Sequence, residues 1–79
     1  MAQELLLLIQ PHCELCEDAM LVLLQLGLHA GRDYRVAELA SEPQLERFLY
    51  KVPVLLCGSE ELQCGRFDAD DLAQRISAI

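Results

Sequence analysis

A chain of 79 residues, 53% of them hydrophobic, has room for one domain (residues 1–79) with a small core, and with only Tyr34, Phe48, Tyr50 and Phe67 as aromatics that core must be aliphatic. Thirteen acidic against six basic residues give a formal charge of −7, which argues against nucleic acid and anionic membranes as partners and for proteins or small molecules.

Residues 4–10, ELLLLIQ, form a short apolar run closed by Pro11, the pattern of a strand buried on both faces. The apolar stretch Leu5 to Ile9 follows Glu4 rather than a basic segment and is too short for a signal peptide or a membrane span. The chain is therefore expected to be cytoplasmic, where closely spaced cysteines are more often catalytic or metal-binding than structural. After Cys13 the periodicity turns helical, with Leu15, Ala19, Val22, Leu23 and Leu26 at three- and four-residue spacing and Gly27 as the stop.

Residues 33–39, DYRVAEL, alternate as a second strand. Ser41 as N-cap, Gln44 as its capping-box partner and Pro43 in the first turn predict a short helix with Leu45, Phe48 and Leu49 facing the core. Residues 52–57, VPVLLC, predict a third strand, and residues 58–61, GSEE, a turn into residues 62–67, LQCGRF, a fourth that can pair with it as a hairpin; a turn centred on Glu60-Glu61 would set Cys64 opposite Cys57. Asp68 caps a last helix with Asp70 and Asp71 in its first turn and Leu72, Ile76 and Ile79 on its inner face. The order β-α-β-α-β-β-α favours a parallel pair joined by a crossover helix plus an antiparallel hairpin: an α/β fold with a mixed four-stranded sheet and helices on both faces.

Cys13 and Cys16 sit where the first strand turns into the first helix. Unpaired amides and the helix dipole favour a thiolate at that end, and Cys16, one turn on, is within reach to resolve a mixed disulfide formed on Cys13. Glu14, Glu17 and Asp18 crowd the same helix start and oppose the negative charge, offsetting part of what the dipole contributes to the thiolate and making the pair more reducing. A zinc site needs about four ligands, and Cys57, about 13 Å along its strand from Pro53, is badly placed to complete one. Cys57 and Cys64 read as small apolar core residues, and no metal is assigned. His12 reads either as a protonatable partner of the thiolate or as an exposed turn residue, and His29 as a surface residue.

CELC after a buried strand, KVPVLL at the third strand and CGRFDADDL before the last helix together make the chain resemble the glutaredoxin branch of the thioredoxin-like fold, and within it the small bacterial glutaredoxin-like proteins. The resemblance spans nearly the whole chain. It implies a thiol–disulfide oxidoreductase in which Cys13 attacks and Cys16 resolves, and a cis Val52-Pro53 bond that sets Pro53 beside Cys13 and leaves the Val52 backbone open to an extended substrate. Substrate contacts are expected from His12, Lys51, Val52 and Pro53, with a disulfide-containing protein or a small thiol as partner, no bound cofactor, and a monomeric chain. Departures from the familiar pattern are Glu14-Leu15 between the cysteines and Cys64-Gly65 in place of a double glycine. Glutathione as co-substrate would need its carboxylates met by Lys51 or Arg47, because no basic residue precedes the CxxC. Two other readings stay open: a non-catalytic protein-binding module, and a metal or iron–sulfur carrier using Cys13.

Overall fold

The computed structural model describes residues 4–78. In chain order it contains β1 (Leu5–Ile9), α1 (Glu14–Gln25), β2 (Arg35–Glu38), two 3₁₀ turns (Leu39–Ser41 and Pro43–Phe48), β3 (Val54–Cys57), β4 (Glu60–Cys64) and α2 (Ala69–Ser77). The strands lie side by side in the order β2-β1-β3-β4. β1 runs parallel to β2 and antiparallel to β3, and β3 runs antiparallel to β4.

The unbroken apolar run of β1 follows from its place inside this sheet. Successive side chains point to opposite faces, and both faces are covered. On one face Leu5, Leu7, Leu55 and Cys57 pack with Ala19 and Leu23 of α1 and Leu72 of α2. On the other, Leu8, Val54 and Leu56 pack with Leu39 and Phe48 from the 3₁₀ turns. Layers on both faces of a mixed sheet were expected from the sequence, and they are present.

α1 stops where expected. Gly27, at φ 81°, takes the left-handed conformation that costs glycine little, and the Leu28 N–H reaches back to the Leu23 carbonyl at 2.9 Å. Asp68 caps α2, its Oδ1 accepting from the amides of Asp70 (2.9 Å) and Asp71 (3.3 Å); such caps contribute about 1 kcal/mol. Gln63 ties β4 to the same helix start, accepting from the Asp68 N–H and donating to Asp71. Leu72 and Ile76 face the core, whereas Ile79 lies outside the described residues.

The segment after β2 departs from expectation. It forms two 3₁₀ turns rather than one capped α-helix: Ser41 ends the first turn instead of capping, and Gln44 donates to the Glu42 carboxylate at 2.8 Å. Pro43 has no N–H to bond back four residues, and Leu45 has non-helical angles (φ −108°, ψ 17°). The bonds that form, such as Glu42 to Leu39 and Leu45 to Glu42, each span three residues. Phe48 still reaches the core and Leu45 packs at its edge, but Leu49 is 40% exposed.

The hairpin is also tighter than the sequence reading placed it. Cys57 pairs with Glu60, so of the expected turn 58–61 only Gly58-Ser59 forms the loop, and Glu60-Glu61 belong to β4. Gly58, at φ 61°, supplies the positive angle that a two-residue hairpin loop requires at its first position. The ladder slips by one residue between Leu55 and Leu56, leaving Leu62 as an extra residue in β4, and Cys64 consequently faces Val54. Cys57 and Cys64 thus lie at opposite ends of the β3–β4 ladder.

Candidate redox site

The strand registers gather one set of residues at one end of the sheet. Leu8 pairs with Val54, Ile9 with Glu38, and Val54 with Cys64. The segments that continue past these pairs, Gln10 to Cys13, Val52-Pro53 and Gly65-Arg66, therefore emerge at the same edge. The Val52-Pro53 bond is cis, as the resemblance implied, and the Pro53 side chain is fully buried. Gly65 fastens this corner, its N–H donating to the carbonyls of Pro53 (2.8 Å) and Lys51 (3.2 Å). Among the hydrogen bonds of the described residues none uses the Val52 backbone, which leaves its N–H and C=O open.

His12 lies between Pro11 and the cysteine with φ 55°, a left-handed conformation unusual for a residue with a Cβ, and its side chain is exposed. This bend delivers Cys13 in extended geometry (φ −119°, ψ 106°) to the N-cap of α1. The Cys13 sulfur accepts a hydrogen bond from the Cys16 amide at 3.1 Å. First-turn amides have no partner within a helix, so a thiolate here gains a charge-assisted hydrogen bond and the favourable end of the helix dipole. Cys13 is half-buried and Cys16 is 4% exposed, and the two form a disulfide with Cα atoms 5.2 Å apart. An incoming disulfide can meet Cys13, whereas Cys16 is reached through it.

The electrostatic setting works against the thiolate on one side. Glu14, Glu17 and Asp18 are exposed at the start of α1, and the ion pairs among the described residues involve none of them. On the far side, Lys51 Nζ is held by Glu61 at 3.0 Å; this pairing raises the Lys51 pKa above, and lowers the Glu61 pKa below, their ordinary values. Burial, aided by Glu61, pushes the Cys64 thiol up, which keeps it protonated and a poor competitor to Cys13 despite its place at the site end of β4. Arg47 lies over the Phe48 ring at 4.5 Å and donates to the Gln44 carbonyl.

Several features of this edge were missed in the sequence. Arg66, exposed next to Gly65, is a basic residue at the site end that was passed over in favour of Lys51 and Arg47; its signal was its place directly after the shortened glycine pair. Gln10 bonds the Leu49 carbonyl across 39 residues at 3.3 Å, closing a groove beside Pro11. A larger hollow, about 740 Å³, lies at the opposite end of β1 beside Glu4 and Tyr34, remote from the thiols. Among the described residues no three His, Cys, Asp or Glu side chains converge as a metal site would need, and no helix is long and apolar enough to cross a membrane.

The family described as "Glutaredoxin-like domain (DUF836)" matches residues 4–77. No curated protein matches the chain. The X-ray structure of XcR50, a Northeast Structural Genomics target protein from X. campestris, is similar with a TM-score of 0.75 and 28% identity, over 95% of this chain and 97% of that one. With a thioredoxin-like fold and a Cys13–Cys16 pair at the start of its first helix, the chain belongs to the glutaredoxin-like domain family.

Proposed function

We propose that the protein is a thiol–disulfide oxidoreductase that reduces disulfides of proteins or small molecules. The observation that carries this reading is the Cys13 sulfur at the N-cap of α1, bonded to the Cys16 amide and half-exposed above a buried Cys16. In the reduced protein the Cys13 thiolate attacks one sulfur of the substrate disulfide, forming a mixed disulfide and releasing the other sulfur as a thiolate, which takes up a proton. Cys16, deprotonated, then attacks Cys13, which expels the second substrate thiolate and leaves the Cys13–Cys16 disulfide. Two electrons pass from the dithiol to the substrate, and an external thiol of the cell restores the dithiol.

Pro53 shapes the floor of the docking edge, and the open backbone of Val52 pairs with an extended substrate as an added strand would. His12 lines the approach to Cys13. Lys51 takes part only through exchange with Glu61, its present partner. The reading carries a cytoplasmic setting with it, where a thiol pool keeps such a pair turning over, and a monomeric chain.

The reaction has a stoichiometry that can be counted. Pre-reduced protein mixed anaerobically with a neutral disulfide such as 2-hydroxyethyl disulfide is expected to release two thiols per chain while the Cys13–Cys16 disulfide forms, followed by mass spectrometry and thiol titration. A chain that leaves the disulfide intact is a binding module instead.

A further inference from the structure

The groove closed by Gln10 and Leu49 has a volume of about 570 Å³ and begins at Pro11, two residues before Cys13. Its walls are largely apolar, from Pro11, Leu39, Pro43 and Leu49, and its one charged lining residue is Glu46, which is exposed and takes no part in the ion pairs of the described residues. Tyr50, next along the chain from Leu49, is 96% exposed, an unusual position for a large aromatic side chain. On the other side of Cys13 stand the exposed carboxylates of Glu14, Glu17 and Asp18, which enter none of the ion pairs of the described residues. Of the basic residues near this end, Arg47 follows Glu46 on the same turn but lies over the Phe48 ring at 4.5 Å and donates to the Gln44 carbonyl. Lys51 is taken by Glu61, and Arg66 follows β4, two strands across the sheet from β1.

We propose that the substrate is a disulfide carried on a basic protein segment, which seats an apolar side chain in the groove beside Pro11 and sets its positive charges against Glu46 and the acidic start of α1. This rests on the oxidoreductase reading. The electron balance is that of the exchange already described, and the groove adds selectivity. An apolar wall that begins at Pro11, two residues before the nucleophile, gives a flanking side chain a place to be buried, and the acidic groups of Glu46 and the α1 start draw in cationic partners while repelling anionic ones. Glutathione disulfide, with four carboxylates and a net negative charge, is disfavoured by the same rim.

The test compares the oxidation rate of reduced protein by four disulfides, each rate divided by that of the same disulfide with dithiothreitol. The probes are a disulfide-linked peptide with leucine and lysines beside its cysteine, the same peptide with glutamates for lysines, glutathione disulfide, and neutral 2-hydroxyethyl disulfide. At low salt the basic peptide is expected to react about tenfold or more faster than the acidic one, with the gap closing at high salt. Replacing its leucine by serine slows it by about tenfold, and Glu46→Lys narrows the ratio between basic and acidic peptides. Equal rates for the two peptides regardless of salt, or glutathione disulfide outpacing the basic peptide, overturn the proposal and leave the oxidoreductase reading standing. No reaction with any of the four, the neutral disulfide included, overturns both.

Discussion

Cys13→Ser is expected to lower disulfide reduction by at least about a thousandfold, because a serine hydroxyl is not ionised at neutral pH and offers no nucleophile in the place of the thiolate. Cys16→Ser has a different outcome: Cys13 still attacks, but nothing resolves the product, so a mixed disulfide accumulates and multiple turnover stops. The asymmetry follows from the geometry, since Cys13 is half-exposed at the N-cap and Cys16 is buried one turn later. Intact-mass measurement after mixing each variant with a disulfide distinguishes the two, as only Cys16→Ser should carry a substrate adduct. An adduct on Cys13→Ser instead, located at Cys16 and formed at the wild-type rate, would reverse the roles.

Leu23→Ala is expected to lower the free energy of unfolding by about 3 kcal/mol, within the usual range for a buried leucine. Leu23 has no exposed surface and joins α1 to the core that Leu7, Leu55 and Leu72 form on one face of the sheet. In a domain of this size the total stability is only about 5–15 kcal/mol, so the loss is a large fraction of it. Leu21→Ala, on the same helix but 58% exposed, is expected to cost under about 0.5 kcal/mol. Urea unfolding of both variants in one redox state measures the contrast, and similar costs at the two positions would contradict the helix orientation.

Where composition and periodicity answered to a single physical cause, the sequence was readable. β1 is apolar at every position because it lies inside a sheet covered on both faces, and Gly27 and Asp68 mark helix ends through local backbone needs. The CxxC at the strand-to-helix turn was legible for the same reason. The segment after β2 was not, because a proline at position 43 suits the first turn of an α-helix as well as it suits successive 3₁₀ turns, and the choice is made by how Leu39 and Phe48 reach the sheet. The hairpin loop was drawn two residues too long because Glu60-Glu61 read as turn by polarity, whereas the positive φ of Gly58 closes it at Gly58-Ser59. That slip hid the place of Cys64 and Arg66 at the site end. The groove beside Pro11 is closed by Gln10 and Leu49, residues 39 apart, and had no local signal at all.

The open quantity at the site is the balance between the α1 amides, which favour the Cys13 thiolate, and the carboxylates of Glu14, Glu17 and Asp18, which oppose it. A reduced state that gains less from its thiolate makes the dithiol a better electron donor. The measurement that tests the redox assignment most directly is the reduction potential of the Cys13/Cys16 pair, obtained by equilibrating the protein in buffers of defined thiol–disulfide ratio. The expected value lies between those of the glutaredoxins and thioredoxin, about −200 to −270 mV, and toward the more reducing end. A value near −120 mV, as in a strong oxidant, would contradict the assignment of this pair as a reductant of disulfides.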